Sequence, residues 1–205
     1  MNIYVEMLLA VALGYLLGSI PFALVIGKVF YQTDIRQHGS KNLGGGNAGR
    51  VLGKKAGLSV MTMDILKVTL AIYITSHFAS ASVAMVVAGL AAATGHCFPL
   101  FAHFKGGKAV ATMYGFLFGM GLFGGYGLTI FFVPLVTFLV VLYLGKIIAL
   151  ASILSAVVNT IYIYWMTGAS LLFMASCIFT VVILVRHKKN LIRMKNHEEN
   201  KISWM

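Results

Sequence analysis

Acidic residues are scarce in this chain. Asp and Glu number 5 among 205 residues, against 16 Lys and Arg. Charged residues of both signs make up 10%, whereas a soluble domain carries about a quarter. With 60% hydrophobic residues and a mean hydropathy of +0.91, that shortage excludes an ordinary soluble globule. Cysteine is nearly missing too. Cys97 and Cys177 cannot build a disulfide framework, and neither sits in zinc-binding spacing. His, Asp and Glu never recur at ligand spacing on a helix face, so no metal is expected, and no cofactor. The start, Met1-Asn2-Ile3-Tyr4-Val5-Glu6, lacks a basic segment and reads as an uncleaved first span rather than a signal peptide. Linkers, low-complexity tracts and internal repeats are missing, which predicts one domain over 1–205.

What is present is positive charge in clusters. A net charge of +11 suits nucleic acid, anionic lipid or an anionic substrate, but in a membrane protein cations first of all hold loops in the cytoplasm. The clusters run from Lys28 to Lys55, at Lys105 with Lys108, at Lys146, and from Arg186 to Lys201; Lys67 alone lies outside them. If all are cytoplasmic, even numbers of spans separate them. Spans fit at 56–78, 81–102, 109–124, 128–144, 147–166 and 169–185, with one more before Lys28. The expectation is an all-α integral membrane protein of about seven transmembrane helices, N-terminus outside and C-terminus cytoplasmic. Segment 109–124 is short for a span of about 20 residues, and a re-entrant hairpin with its neighbour keeps the same parity.

Three cytoplasmic stretches carry chemistry. The first, Asp34 to Arg50, holds Ser40, Lys41, Asn42 and Asn47 among five glycines (Gly39, Gly44, Gly45, Gly46 and Gly49). Glycines let backbone N–H groups turn toward one point, and Arg50 adds full charge, a set suited to phosphate. A flexible basic loop is the plainer alternative. Gly44-x-Gly46-x-x-Gly49 matches the dinucleotide fingerprint but has no strand before it. In the second stretch, His96 precedes Pro99, which ends a helix, and Lys105-Gly106-Gly107-Lys108 opens the next one, a second anion site or a cationic turn. In the third, His187, Asn190 and Arg193 share a helix face, either for chemistry or as part of a basic helix on anionic lipid. Asp64 and Lys67, three apart inside a span, read as a structural lock. Gly14-x-x-x-Gly18 reads as close helix packing.

These stretches, in this order and on one membrane face, resemble the bacterial acyl-phosphate:glycerol-3-phosphate acyltransferases, the PlsY family, over nearly the whole chain. Gly18-Ser19-Ile20-Pro21 is similar to the family's opening signature, and Asp64-Ile65-Leu66-Lys67 to its span pair. The resemblance implies seven transmembrane helices in the bacterial inner membrane with the site facing the cytoplasm. It implies acyl transfer from acyl phosphate to the 1-hydroxyl of glycerol 3-phosphate, the first acylation of phospholipid synthesis. It implies catalytic roles for Ser40, Arg50, Lys108, His187 and Asn190, and a structural role for Glu199 beside Asp64 and Lys67. Substrate contacts are expected from Asn42, Asn47, His96, Lys105, Gly106, Gly107 and Arg193. Expected partners are acyl phosphate, glycerol 3-phosphate, membrane lipid and the soluble enzyme that supplies acyl phosphate, with no nucleic acid. The chain departs from the family pattern at several points. Lys41, Ala109 and His197 stand where glycine is usual, Gly45-Gly46 where Ala-Thr is usual, and Lys146 where arginine is common.

The soluble-type signature of coenzyme A-dependent glycerolipid acyltransferases, His followed five positions later by Asp, follows none of the six histidines. A transporter for an organic phosphate is the rival reading, since short glycine-broken spans suit one; it needs midplane polar groups, and Asp64 and Lys67 are the candidates. A non-catalytic scaffold using the basic tail leaves the glycine loops unexplained. The topology makes a direct prediction: single cysteines at Gly44 and Asn196 label only from the cytoplasmic side, and one at Asn2 only from outside. Labelling of Gly44 and Asn196 from opposite sides overturns the even-span count.

Overall fold

The computed structural model describes residues 2–202, and all regular structure among them is helical. The chain forms two compact units, Met1–Gly125 and Tyr126–Met205.

In the first unit, α1 (Ile3–Gly18) and α2 (Phe22–Tyr31) form one long apolar stretch interrupted at Ser19-Ile20-Pro21. The interruption falls where Pro21 has no N–H to continue the ladder. The short α3 (Gly45–Leu52) leads into α4 (Lys54–Phe78), followed by α5 (Ser82–Cys97) and α6 (Val110–Phe123). Small residues set the helix contacts. A Cβ on Gly14 or Gly18 would strike the carbonyl of Ala88 or Ala92, so α1 and α5 lie parallel with backbones touching. The four-residue glycine spacing is therefore a packing stripe. Gly115 and Gly119 let α6 approach Ile65 and Ile72 of α4 in the same way. Glu6 is buried and accepts from the Ser80 amide (3.0 Å) and hydroxyl (3.1 Å), which ties the start of α1 to the α4–α5 turn. The ends of α1 and α5 and the starts of α4 and α6 meet at the opposite end, and both the 32–53 and 98–109 segments lie there.

The second unit holds α7 (Thr129–Gly145), α8 (Ile148–Thr167), α9 (Leu171–Arg186) and α10 (Lys188–Lys195). Hydroxyls join α8 to α9: Thr160 and Thr180 lie 2.8 Å apart, and Thr180 donates to the Ala156 carbonyl at 3.0 Å. The axis bends by 58° between α9 and α10. After α10 the tail turns back, and the Ile202 amide donates to the Lys146 carbonyl at 2.8 Å.

Each expected span coincides with a helix, but not all are long. Among the described residues, four helical stretches are long and apolar enough to cross a membrane, or five if the bent α9–α10 pair is counted as one span. Helices α6 and α7, with 14 and 17 residues, are shorter. At 1.5 Å per residue they reach only about 21 and 26 Å of a hydrocarbon core about 30 Å thick. Large apolar side chains such as Leu8, Val29 and Phe30 in the first unit, and Val136, Ile161 and Val181 in the second, are exposed, as lipid contact requires.

Four of the departures from the family pattern share one backbone conformation. Lys41, Ala109, Lys146 and His197 all have φ between 56° and 63°, the left-handed region. There a side chain costs roughly 1–2 kcal/mol that glycine avoids. His197 shows why glycine belongs there. Its amide donates to the Met194 carbonyl and the Glu198 amide to the Arg193 carbonyl, the bonding of a Schellman cap. His197→Gly should therefore stabilise the fold by about 0.5–1 kcal/mol, the left-handed cost less glycine's extra chain entropy. Thermal unfolding of the purified protein in detergent checks this, and an unchanged or lower Tm contradicts it.

Candidate active site

The first loop is built by one set of polar residues and leaves another set bare. Asp34 opens a 3-10 turn, Ile35–Gln37, accepting from the Arg36 amide at 3.0 Å. The Arg36 guanidinium grips the same carboxylate through Nε (2.9 Å) and one terminal nitrogen (2.6 Å). These bonds hold the Asp34 carboxyl down to about 2, so the pair survives acidification until the pH falls through that value. The only acid in the stretch is thereby neutralised. Asn47 is buried; its amide donates to the carbonyls of Ile35 and His38 (3.2 Å each) and accepts from the Ser40 amide at 2.8 Å. Expected as a substrate contact, Asn47 spends its amide on shaping the loop. Gly39, at φ +58°, leaves room for the Asn47 carbonyl oxygen. Among the described residues, the Ser40 hydroxyl, the Asn42 amide and the exposed Arg50 guanidinium make no such bonds. Arg50 lies one turn beyond Asn47 on α3.

The glycines of this loop do not form the nest expected for them. Gly45, Gly46 and Gly49 are helical, and Gly45 and Gly49 abut Gly57 and Met61 of α4. They serve close packing, and only the first-turn amides of α3 remain directed outward. Ile35, Leu43 and Ala48 bury against Leu24 and Val60, and Ala102 of the second stretch joins the same cluster. The first and second loops are thus held together.

In the second loop, Pro99 ends α5 and a 3-10 turn, Leu100–Ala102, reverses the chain. Gly106 and Gly107 then tuck beneath α5. The Gly107 amide donates to the His96 carbonyl at 3.0 Å. A Cβ on Gly106 would meet that carbonyl and Pro99; on Gly107 it would meet the His96 imidazole. The side-chain positions of both glycines are occupied by the chain itself, and sequence does not distinguish approach to a ligand from approach to one's own backbone. Lys105 is exposed and Lys108 half-buried beside them. His96 is buried, with Nδ1 3.1 Å from the Lys67 ammonium. Lys67 also donates to Asp64 Oδ1 (2.6 Å) and to the Ile20 carbonyl (3.0 Å). Ile20 was not expected here; the helix break announced by Pro21 was the available signal.

In the second unit, His187 is buried and its Nδ1 lies 2.8 Å from the Ile183 carbonyl. A carbonyl only accepts, so Nδ1 carries the hydrogen and Nε2 is the basic nitrogen of the neutral ring. Glu199 takes the Asn190 amide at 2.8 Å on one oxygen and Arg193 Nε at 2.7 Å on the other. The face of His187, Asn190 and Arg193 is thus held by one carboxylate delivered by the turned-back tail.

Helices built for lipid contact, with bare hydroxyl, amide and cationic groups on loops braced at one end of the first unit, define a membrane enzyme for anionic substrates. The family model described as glycerol-3-phosphate acyltransferase matches residues 8–197. A glycerol-3-phosphate acyltransferase of Streptococcus pyogenes serotype M5 (strain Manfredo) is 40% identical over 213 residues, covering 97% of this chain and 94% of the relative. The crystal structure of PlsY, an integral membrane glycerol 3-phosphate acyltransferase, in its glycerol 3-phosphate form superposes with a TM-score of 0.87 at 30% identity, covering 96% of each chain. Its lysophosphatidic acid form gives 0.84 at 29% identity, covering 96% of this chain and 95% of that one. The chain belongs to the PlsY family of glycerol-3-phosphate acyltransferases.

The split between building and bare groups predicts two kinds of variant. Arg50→Ala should lower turnover ten- to a hundredfold or more, an order-of-magnitude figure from losing about 1.5–3 kcal/mol of charged hydrogen bonding, with Tm unchanged. Asn47→Ala should lower Tm and activity together. Lys55→Ala, on the exposed start of α4, should stay near wild type. Assays at matched membrane insertion, with melting curves, check all three; equal losses in Arg50→Ala and Lys55→Ala would make the cluster topological.

Proposed function

We propose that the chain transfers a fatty acyl group from acyl phosphate to the 1-hydroxyl of glycerol 3-phosphate at the cytoplasmic face of the bacterial inner membrane. The products are lysophosphatidic acid and inorganic phosphate. The protein acts as one acyltransferase domain with seven spans, N-terminus outside and C-terminus inside. The observation that carries the reading is the bare set of Ser40, Asn42 and Arg50 beside a loop bearing Lys105 and Lys108, with Asp34, the acid of the first loop, neutralised by Arg36. Two anionic substrates need two cationic binding segments, and the family's solved relatives in glycerol 3-phosphate and lysophosphatidic acid forms support substrate and product.

An acyl phosphate is a mixed anhydride with a good leaving group, so the chemistry is positioning plus charge stabilisation. The glycerol hydroxyl attacks the acyl carbon, the bond from that carbon to the phosphate oxygen breaks, and phosphate leaves with the electron pair. Ser40, Arg50 and Lys108 are assigned to the acyl phosphate and its developing charge, with Arg50 offering a fork to phosphate oxygens. Lys105 and the loop of Gly106 and Gly107 are assigned to glycerol 3-phosphate. The hydroxyl proton passes to the departing phosphate or to a histidine, a role the family resemblance gives to His187 together with Asn190. The acyl chain is assigned to an apolar cavity of about 340 Å³ walled by Leu17, Leu66, Leu70, Tyr73 and Phe123.

The donor is tested with purified protein in detergent. Acyl phosphate should support formation of lysophosphatidic acid in the presence of chelator. If acyl-coenzyme A alone supports turnover, or chelator abolishes it, the proposed donor chemistry is wrong.

A further inference from the structure

The polar cluster at Lys67 reaches from inside the helices to the second loop. Its side chain and that of Asp64 are each 2% exposed, within a helix long and apolar enough to cross the membrane. Charges there are costly, and an apolar pair of the same size would pack at least as well. An ammonium has three N–H bonds, and three acceptors surround this one: Asp64 Oδ1 at 2.6 Å, the Ile20 carbonyl at 3.0 Å and His96 Nδ1 at 3.1 Å.

That count fixes the histidine. If Nδ1 accepts from Lys67, the ring hydrogen sits on Nε2. The other tautomer would press an N–H against the ammonium at 3.1 Å for a weaker approach to Asp64 Oδ1 at 3.5 Å. Nε2 is the nitrogen that a Cβ on Gly107 would strike, so it lies against the Lys105–Lys108 loop. The same residue receives the Gly107 amide on its carbonyl at 3.0 Å. His96 therefore brackets the loop with its backbone and its ring.

We propose that Lys67 is a positioning residue for the acceptor substrate: it sets the tautomer and orientation of His96, whose ring and backbone then hold the Lys105–Lys108 loop in place. The role rests on the reading that this loop holds glycerol 3-phosphate. Asp64 serves the same end by neutralising Lys67 and orienting it.

Two experiments test this. The first is nitrogen-15 NMR of the histidine side chains in wild-type protein, with His96 assigned by comparison with His96→Gln. The ring should carry its hydrogen on Nε2; a hydrogen on Nδ1 overturns the proposal whatever the loop binds. The second is steady-state kinetics of the Asp64→Asn/Lys67→Met double variant, which removes both buried charges together. Its KM for glycerol 3-phosphate should rise about tenfold or more, as loss of a hydrogen bond to a charged group implies, while kcat and the donor KM stay within about threefold of wild type, less than one such bond is worth. A uniform loss of kcat would make the pair merely structural and overturn the proposal. Lys105→Ala separates the two claims. If it leaves the glycerol 3-phosphate KM unchanged, the loop assignment fails; if it raises that KM while the double variant binds normally, only the positioning role fails.

Discussion

An ammonium inside a membrane-spanning helix has to find an acceptor for every N–H, because no water is there to supply one. Lys67 finds them on three different segments: Asp64 on its own helix, Ile20 at the break between α1 and α2, and His96 at the end of α5. The requirement fixes where these segments meet. The break at Ile20-Pro21 serves it by turning the Ile20 carbonyl out of the helical ladder, where it accepts from both Lys67 and the Phe22 amide. The requirement also demands that α1, α4 and α5 come close, and Gly14, Gly18 and Gly95 bring the backbones of α1 and α5 into contact. The end of the first unit where this network sits is the end that carries both glycine-rich loops.

The loops then divide their polar groups by task. Asp34, Arg36 and Asn47 satisfy one another and the local backbone. Ile35, Leu43 and Ala48 anchor the same segment in an apolar cluster. A loop fixed this way carries Ser40, Asn42 and Arg50 on a braced backbone. The second unit repeats the device with a single carboxylate, Glu199, which holds both Asn190 and Arg193.

Much of this was legible in the sequence. Helix boundaries followed from apolar runs and cation clusters, and the spacing of Gly14 and Gly18 announced a packing stripe. The three-residue spacing of His187, Asn190 and Arg193 placed them on one face. Other features were hidden for physical reasons. Gly45, Gly49, Gly106 and Gly107 looked like anion-binding glycines, yet a missing side chain only says that something comes close; here it is α4 or His96. Asn47 looked like a donor to substrate, and nothing in an amide's identity reveals that its bonds are already used. Left-handed backbone at Lys41, Ala109, Lys146 and His197 left no mark in the residue types, since none favours that conformation. Only comparison with the family's usual glycines pointed to three of them.

On the proposed function, the loop groups act on glycerol 3-phosphate chemically at the membrane surface and do not conduct it across. Proteoliposomes given radiolabelled glycerol 3-phosphate and acyl phosphate on the accessible side test this directly. Label should enter the lipid fraction as lysophosphatidic acid, and none should accumulate in the lumen as free glycerol 3-phosphate. Luminal uptake of unmodified label without esterification would contradict the proposed function.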